Sequence, residues 1–166
     1  MKINLGCGDD IKEGYMNIDV LPESDKFNLD ENTTYSQADV TNLLWLPVND
    51  VEEIFARDVI EHIPIPRLRN ALKTWHMVLR PGGKLIIQTP NLKRIAEEIL
   101  NGKEEVGLSR IFANSVNIQD WHKSGFTPDI LKEFLISLGF KTVKVFPNKD
   151  IYYPDYPFNM TAEAIK

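Results

Sequence analysis

The sequence predicts an α/β fold built around a mostly parallel sheet. Short apolar strands alternate along the chain with segments of helical spacing, an order typical of βαβ units. Glycine and aspartate residues follow several of these strands, at the sheet edge where ligands of such folds bind. The length of 166 residues predicts a single domain over residues 1–166, within which residues 91–126 form a less regular, variable segment.

Composition argues against a nucleic-acid-binding, disulfide-bonded or membrane-spanning protein. The formal net charge is −5 and no basic run occurs, which argues against nucleic acid as the main partner. The single cysteine, Cys7, excludes an internal disulfide and fits a reducing compartment. No apolar stretch approaches the roughly 18 residues of a membrane span, and a strand begins at once without room for a signal peptide. We therefore expect a cytoplasmic protein without a membrane or nucleic-acid partner.

The first half of the chain predicts four strands, at about residues 3–5, 16–20, 37–40 and 53–57. Only seven residues, 9–15, separate Gly8 from Met16, whereas a parallel crossover usually needs about a dozen. Apolar and polar residues alternate in the first two strands, a pattern typical of a sheet with one buried face. We therefore expect a loop in place of the first helix and one thinly covered face, either wet or shared with a second subunit.

The second half predicts three helices and three strands. The first helix follows Pro64 and has an apolar stripe ending near Leu79, and the second spans about residues 92–100. Thr127 is the expected N-cap of the third helix, with Pro128 at its first position. The predicted strands are 84–90, 140–146 and 158–166, and the first of them is apolar enough to be covered on both faces.

Two glycines and a set of acids at strand ends are the candidate binding residues. Gly6 and Gly8 follow the first strand, where glycine permits either a simple tight turn or close approach to a ligand. Asp10 stands where many such loops have a third glycine, which disfavours a diphosphate but tolerates a cation. Asp19 could accept hydrogen bonds from two ribose hydroxyls, and Asp39 could read an adenine amino group. Each acid alone could be a solvated strand-end or turn residue.

These segments together resemble the class I S-adenosylmethionine-dependent methyltransferases, in particular the small type 11-like group. The resemblance runs in order through "NLGCGDD", "NIDV", "ADV", "FARDVIEHIP", "LRPGGKLIIQTPN" and "SGFTPDILKEFLISLGF". It implies a Rossmann-like, mostly parallel seven-stranded sheet. Relative to the family, this chain is a minimal version that lacks the N-terminal helix and has a truncated first helix.

The resemblance also implies S-adenosylmethionine as cofactor and assigns residues to it. The glycine loop and Asp19 would hold the amino acid and ribose ends, Asp39 and Val40 would bracket adenine, and Arg57 with Asp58 would lie under the methionine part. Asn4 stands where the family usually has an acid, and Asp10 replaces the third glycine. The implied cofactor-binding set is Leu5, Gly6, Cys7, Gly8, Asp19, Val20, Asp39, Val40, Arg57 and Asp58.

The implied activity is in-line transfer of a methyl group to a small-molecule or glycan-type acceptor, which depends mainly on alignment and desolvation. His122, Asp58 and His62 are the candidate catalytic residues. The pair Glu61-His62 is expected to order its loop through hydrogen bonds, and no metal is predicted. The polar residues of 91–126 (Asn114, Asn117, Gln119, Trp121 and His122) suggest a polar acceptor.

Two other functions remain open. A chain with so few covering helices could be a non-catalytic S-adenosylmethionine-binding module, or a partner subunit of a larger enzyme. A nicotinamide-dependent oxidoreductase is less compatible, since the sequence lacks G-x-G-x-x-G spacing and has Asp10 where a pyrophosphate would lie. A homodimer through the thinly covered face is a further possibility.

Overall fold

The computed structural model describes residues 1–22, 33–113, 120–148 and 158–166. Within them lies one seven-stranded sheet with strand order β3-β2-β1-β4-β5-β7-β6. Strand β7 is antiparallel to β5 and β6, whereas the other paired strands are parallel. The predicted α/β fold class with a mostly parallel sheet is confirmed. The strands are β1 Lys2–Leu5, β2 Met16–Asp19, β3 Thr34–Gln37, β4 Val51–Arg57, β5 Leu79–Pro90, β6 Lys141–Asn148 and β7 Asn159–Ile165.

Four α-helices and one 3-10 turn accompany the sheet in the described part of the chain. The 3-10 turn, Ile60–His62, follows β4 directly. Helix α4 begins as expected, since the Thr127 hydroxyl accepts a hydrogen bond from the backbone N–H of Ile130 at 3.4 Å. The α-helices are α1 Ile65–Val78, α2 Leu92–Leu100, α3 Glu104–Phe112 and α4 Pro128–Ser137.

The main core lies on one face of the sheet. Alternate residues of the central strands, such as Ile54 and Leu85, are fully buried there. Helices α1 and α4 cover this face and contribute Trp75 and Leu131 to the same cluster. The alternation in the sequence thus predicted correctly that Ile3, Leu5 and Ile18 face this core.

The opposite face is closed over β1 and β2 by the loop 9–15, which contains no helix. Buried amides replace the helix. The Asn4 side chain donates to the Asp10 carbonyl at 2.7 Å and to Asn17 Oδ1 at 2.9 Å. Asn17 Oδ1 also accepts from the Lys12 backbone N–H at 2.9 Å, and its amide donates back to the Lys12 carbonyl at 3.1 Å. The truncated first helix is therefore confirmed, and two asparagines hold the loop in its place. The expectation of a thinly covered face at β1 and β2 was wrong, since Asn4 is 1% and Asn17 0% exposed.

Strand β5 is less covered than its sequence predicted. Leu85 and Ile87 are fully buried, but Lys84, Ile86 and Gln88 are only half-buried. Lys84 forms a 2.8 Å ion pair with Glu163 of β7 on the same face. The prediction of a strand covered on both faces was wrong, since these three side chains remain partly exposed.

The third strand lies earlier in the chain than predicted. Strand β3 ends at Gln37, which is paired with Asp19, the last residue of β2. Asp39 therefore follows the strand, and its Oδ1 accepts a hydrogen bond from the backbone N–H of Thr41 at 2.8 Å. The pairing ends where β2 ends, which places Asp39 in the turn.

Helix α3 was not predicted. It contains Gly107 near its middle, which lowers helix propensity in any sequence-based prediction. The structure gives a reason for this glycine, since a Cβ there would lie 2.3 Å from Cγ1 of Ile99 in α2. The glycine allows α2 and α3 to pack closely.

None of the described helices is long and apolar enough to cross a lipid bilayer.

Candidate functional site

A cleft of about 630 Å³ lies beyond the carboxyl ends of β1 and β4. This is the edge of a parallel sheet at which ligands bind. The lining combines the glycine turn after β1, the segment after β4, and the segment that ends α3 and precedes α4. The lining residues are Asn4, Gly6, Cys7, Gly8, Asp9, Asp10, Arg57, Asp58, His62, Arg110, Ala113, Asp120 and His122.

The two glycines of the turn have different roles. Both have positive φ, +58° at Gly6 and +50° at Gly8, a conformation that favours glycine. A Cβ at Gly6 would lie 2.6 Å from Cγ2 of Val59, so the backbone there approaches a neighbouring side chain. A Cβ at Gly8 would meet no atom within 4 Å. Gly6 therefore serves packing, whereas Gly8 leaves space in the cleft.

Asp19 braces the glycine turn. Its Oδ2 accepts a hydrogen bond from the backbone N–H of Gly8 at 2.7 Å, and its Oδ1 accepts one from Leu21 at 3.1 Å. The residue is only 7% exposed and does not line the cleft, and the neighbouring Val20 is exposed. The carboxylate thus fixes the shape of the loop from behind.

Asp10 is neutralised by its neighbours. Arg57, the last residue of β4, forms a 2.9 Å ion pair with its carboxylate, and Lys12 lies 3.5 Å away. The guanidinium thus reaches across the cleft floor to the glycine loop. Asp58, the next residue, has a positive φ of +51°, which is uncommon outside glycine and turns the chain sharply after the strand.

The Asp39 and Val40 pair lies outside the cleft lining. Asp39 is exposed and forms a 3.2 Å ion pair with Arg67 of α1. Burial alone would raise the pKa of Asp39, but hydrogen bonds from Thr41 and the charge of Arg67 outweigh it and lower that pKa. Val40 is buried, and its carbonyl accepts a 2.7 Å hydrogen bond from the Trp75 indole.

Glu61, His62 and His122 lie together at one side of the cleft. One potential ligand atom from each residue lies within 4.8 Å of the others. The two imidazole rings meet edge to face with centroids 4.9 Å apart. Glu61 is 1% exposed, and its Oε2 accepts a 3.0 Å hydrogen bond from the Thr89 hydroxyl. Sequence spacing of Glu61 and His62 could not reveal that His122 joins them.

Burial sets the protonation states in this cluster. It raises the pKa of Glu61 to about 8, with the nearby Asp58 charge adding to the effect. It lowers the pKa of His122 to about 4, with His62 and Arg110 adding to the effect. His122 is therefore neutral near pH 7 and a weak proton acceptor.

Of the twelve residues predicted to bind the cofactor or take part in catalysis, the cleft brings together seven and leaves five beside or behind it. Leu5 is fully buried beneath the turn. Arg110 and Ala113 were missed because α3 was not predicted, and Asp120 lies in the irregular segment before α4. Asn114, Asn117 and Gln119 lie outside the described residues. The predicted residues that line the cleft are Gly6, Cys7, Gly8, Arg57, Asp58, His62 and His122, and those that do not are Leu5, Asp19, Val20, Asp39 and Val40.

Solved structures with the same fold are numerous. A SAM-dependent methyltransferase of Archaeoglobus fulgidus is 17% identical with a TM-score of 0.72, covering 99% of this chain and 85% of its own. A SAM-dependent methyltransferase of Thermotoga maritima, a possible histamine N-methyltransferase, is 15% identical with a TM-score of 0.72, covering 99% and 81%. A methyltransferase in complex with the Haloferax volcanii Trm112 activator is 12% identical with a TM-score of 0.66, covering 99% and 81%.

One sequence comparison identifies a family, and the other finds no match among curated proteins. The family model described as a methyltransferase domain matches residues 5–87, which is half of the chain and includes the glycine turn, Asp19, Asp39 and the segment after β4. The chain therefore belongs to this methyltransferase family, whose cofactor is S-adenosylmethionine.

Proposed function

We propose that this chain catalyses S-adenosylmethionine-dependent methyl transfer to a small-molecule or glycan-type acceptor bound in the 630 Å³ cleft. The observation that carries the proposal is the open space at Gly8, where a Cβ would meet no atom within 4 Å, on a turn braced by Asp19. Family membership supports the same reaction class.

The residues present fit the cofactor. Four aspartates and two arginines line the cleft, a balance that suits a cationic sulfonium. When bound, S-adenosylmethionine supplies a methyl group that is already activated for displacement. The Gly6–Gly8 turn would hold its amino acid and ribose ends, with Arg57 and Asp58 toward the methionine part. Asp39 and Val40 are proposed for adenine, although neither lines the cleft as it stands.

His122 and its neighbours are proposed to position the acceptor. Its Nδ1 is 3.0 Å from the Arg110 carbonyl, so in the neutral ring Nδ1 donates and Nε2 has the lone pair. With a pKa of about 4, His122 would accept a hydrogen bond from the acceptor rather than hold a full proton. Trp121 is half exposed next to it, and its ring suits a sugar or another flat acceptor surface.

Assembly and location are further parts of the proposal. We take residues 1–166 as one domain, with residues 91–126 selecting the acceptor. The half-buried residues Ile86 and Gln88 on the thinly covered sheet face support a homodimer through that face. The single buried cysteine supports a cytoplasmic location. A monomer in light scattering would contradict the dimer.

Calorimetric titration tests the cofactor site. We expect S-adenosylmethionine and S-adenosylhomocysteine to bind and NAD not to bind. The Asp19→Ala variant should weaken binding by about 10- to 100-fold, because it releases the Gly8 N–H from a charged acceptor. Asp50→Ala, an exposed aspartate remote from the turn, is the matched control. Binding of NAD alone would overturn the proposal.

An acceptor screen that follows S-adenosylhomocysteine release tests catalysis. Tight cofactor binding without turnover of any acceptor would favour the second candidate, a non-catalytic binding module or partner subunit. The structural neighbour in complex with a Trm112 activator makes that candidate specific, because a methyltransferase-like fold there has a partner protein. Repeating the screen with the protein fraction of a cell extract, and separately with its small-molecule fraction, would distinguish a missing partner from a missing acceptor.

A further inference from the structure

We propose that Glu61, His62 and His122 form a binding site for a divalent transition-metal ion at the side of the cleft. The sequence pattern alone favoured an ordering role for Glu61 and His62 and predicted no metal. The structure adds His122 from a distant segment and brings one potential ligand atom of each residue within 4.8 Å of the others. Two imidazoles and one carboxylate are a donor set that binds first-row divalent ions.

The carboxylate of Glu61 is the first support. The residue is 1% exposed, and only its Oε2 is engaged by the Thr89 hydroxyl. Its Oε1 is buried and has no hydrogen-bond partner among the described residues. A buried carboxyl oxygen without a partner is costly unless a cation or water satisfies it. A metal ion held with the two histidines would displace the carboxyl proton and satisfy this oxygen.

The orientation of His122 is the second support. Its Nδ1 is held 3.0 Å from the Arg110 carbonyl, which leaves Nε2 as the ligand atom. Histidine ligands usually donate their other ring N–H to such an acceptor, which fixes the ring and its tautomer. The ring lies at 75° to that of His62, with centroids 4.9 Å apart. Two imidazoles can therefore face a common point.

The two segments that supply the ligands are tied together by the backbone. The N–H groups of Lys123 and Ser124 donate to the Glu61 carbonyl at 2.7 and 3.0 Å. The Ser124 hydroxyl donates to the Ile60 carbonyl at 3.0 Å. The segment bearing His122 is thus fixed against the 3-10 turn bearing Glu61. Such a pre-formed site costs little ordering when a ligand binds.

The charges and the exposure of the site agree with a cation that also reaches the cleft. Asp58 adds a second carboxylate close to Glu61, and Arg110, whose guanidinium donates to Asn159 at 3.1 Å, is the cation nearby. His62 and His122 both line the cleft, whereas Glu61 lies behind them. Three protein ligands leave a coordination position open toward the cleft. With a metal bound, Nε2 of His122 is a ligand and no longer accepts a hydrogen bond from the acceptor. An acceptor oxygen would instead bind at the open position and become more acidic. This last step rests on the proposed methyl transfer, whereas metal binding does not.

Metal titration of chelator-treated protein tests the site. We expect Zn²⁺ to bind with one-to-one stoichiometry in calorimetry, and Co²⁺ to give visible d–d absorption that Zn²⁺ abolishes. His122→Ala and Glu61→Gln should each weaken binding at least about tenfold. His76→Ala, which removes a half-buried histidine of α1, should leave binding unchanged. Circular dichroism checks that each variant is folded.

Absence of stoichiometric Zn²⁺ and Co²⁺ binding to the wild-type chain would overturn the site. So would binding that survives both cluster substitutions. If one of the two variants does not fold, the other variant and the Co²⁺ spectrum of the wild type still decide whether the site binds a metal. S-adenosylmethionine titration of the same preparations separates the two proposals. Cofactor binding without metal binding rejects this site alone, and metal binding without cofactor binding rejects the proposed function alone.

Discussion

The Trp75 indole donates a 2.7 Å hydrogen bond to the Val40 carbonyl and so connects helix α1 to the segment after β3. Both residues are buried, Trp75 completely. The segment that contains Asp39 is thereby fixed against the main core rather than against the cleft. A site proposed for adenine thus depends on a fully buried core tryptophan.

Trp75→Phe should destabilise the chain by about 1–3 kcal/mol, because the buried Val40 carbonyl loses its donor. Urea unfolding measures the change. Trp121→Phe is the matched control, since Trp121 is half exposed, and it should change stability by less than about 0.5 kcal/mol. Equal effects of the two substitutions would contradict the structural role assigned to Trp75.

The two glycines of the turn should respond differently to alanine. Gly6→Ala combines a positive φ with a contact of 2.6 Å to Val59, and should cost about 2–4 kcal/mol in unfolding free energy. Gly8→Ala should cost about 1–2 kcal/mol, from conformation alone, and weaken S-adenosylmethionine binding more than it weakens folding. Val59→Ala should partly rescue Gly6→Ala and not Gly8→Ala. Rescue of both would show that Val59 acts generally and not through contact.

Restoring the usual family acid at position 4 should be harmful. Asn4→Asp replaces an amide that donates to the Asp10 carbonyl and to Asn17 Oδ1 with a carboxylate facing two acceptors. We expect a loss of about 1–3 kcal/mol near pH 7, measured by urea unfolding, and a smaller loss in acid, where the protonated carboxyl can donate. Asn42→Asp, at an exposed residue whose oxygen only accepts, is the control. If Asn4→Asp leaves the free energy of unfolding unchanged, the Asn4 amide does not hold the loop.

His76 should make stability depend on pH. Burial, with contributions from the Lys166 and Lys141 charges, lowers its pKa below the ordinary value of 6.5. The unfolded chain then binds the proton more readily than the folded chain, so this contribution to stability is present above about pH 6.5 and is lost as pH falls through the folded pKa. The free energy of unfolding in urea should change less between pH 7.5 and pH 5.5 for His76→Gln than for the wild type. An unchanged difference would exclude His76 as its source.

Local patterns predicted much of this fold. The apolar stripe of α1 and the Thr127 cap with Pro128 depend on neighbouring residues, and each appears in the structure. The alternation of β1 and β2 was misread as an exposed face, because the polar side chains Asn4 and Asn17 are buried by hydrogen bonds to the loop 9–15. Helix α3 was missed because Gly107 serves a contact with Ile99, which only the packed structure reveals. Strand β3 lies earlier in the chain than predicted because it pairs with β2, and the end of β2 at Asp19 fixes where β3 ends.

The candidate site was predicted unevenly for the same reason. The glycine turn and Asp58 are close in sequence to recognisable motifs and do line the cleft. Asp19 was predicted to contact the ligand. In the structure its carboxylate accepts a hydrogen bond from the Gly8 N–H, and the pairing of β1 with β2 that brings the two residues together cannot be read from their spacing. The approach of His122 to Glu61 depends on backbone hydrogen bonds between distant segments.

The position of β7 between β5 and β6 has a consequence for biosynthesis. β6 is translated before β7, yet β7 is its pairing partner in the described sheet. A nascent chain that has reached Asn148 therefore exposes the edge of β5 and an unpaired β6 until residues 159–165 leave the ribosome. Stalled or truncated translation products should be the aggregation-prone species, and the parallel half of the sheet should acquire protease resistance first.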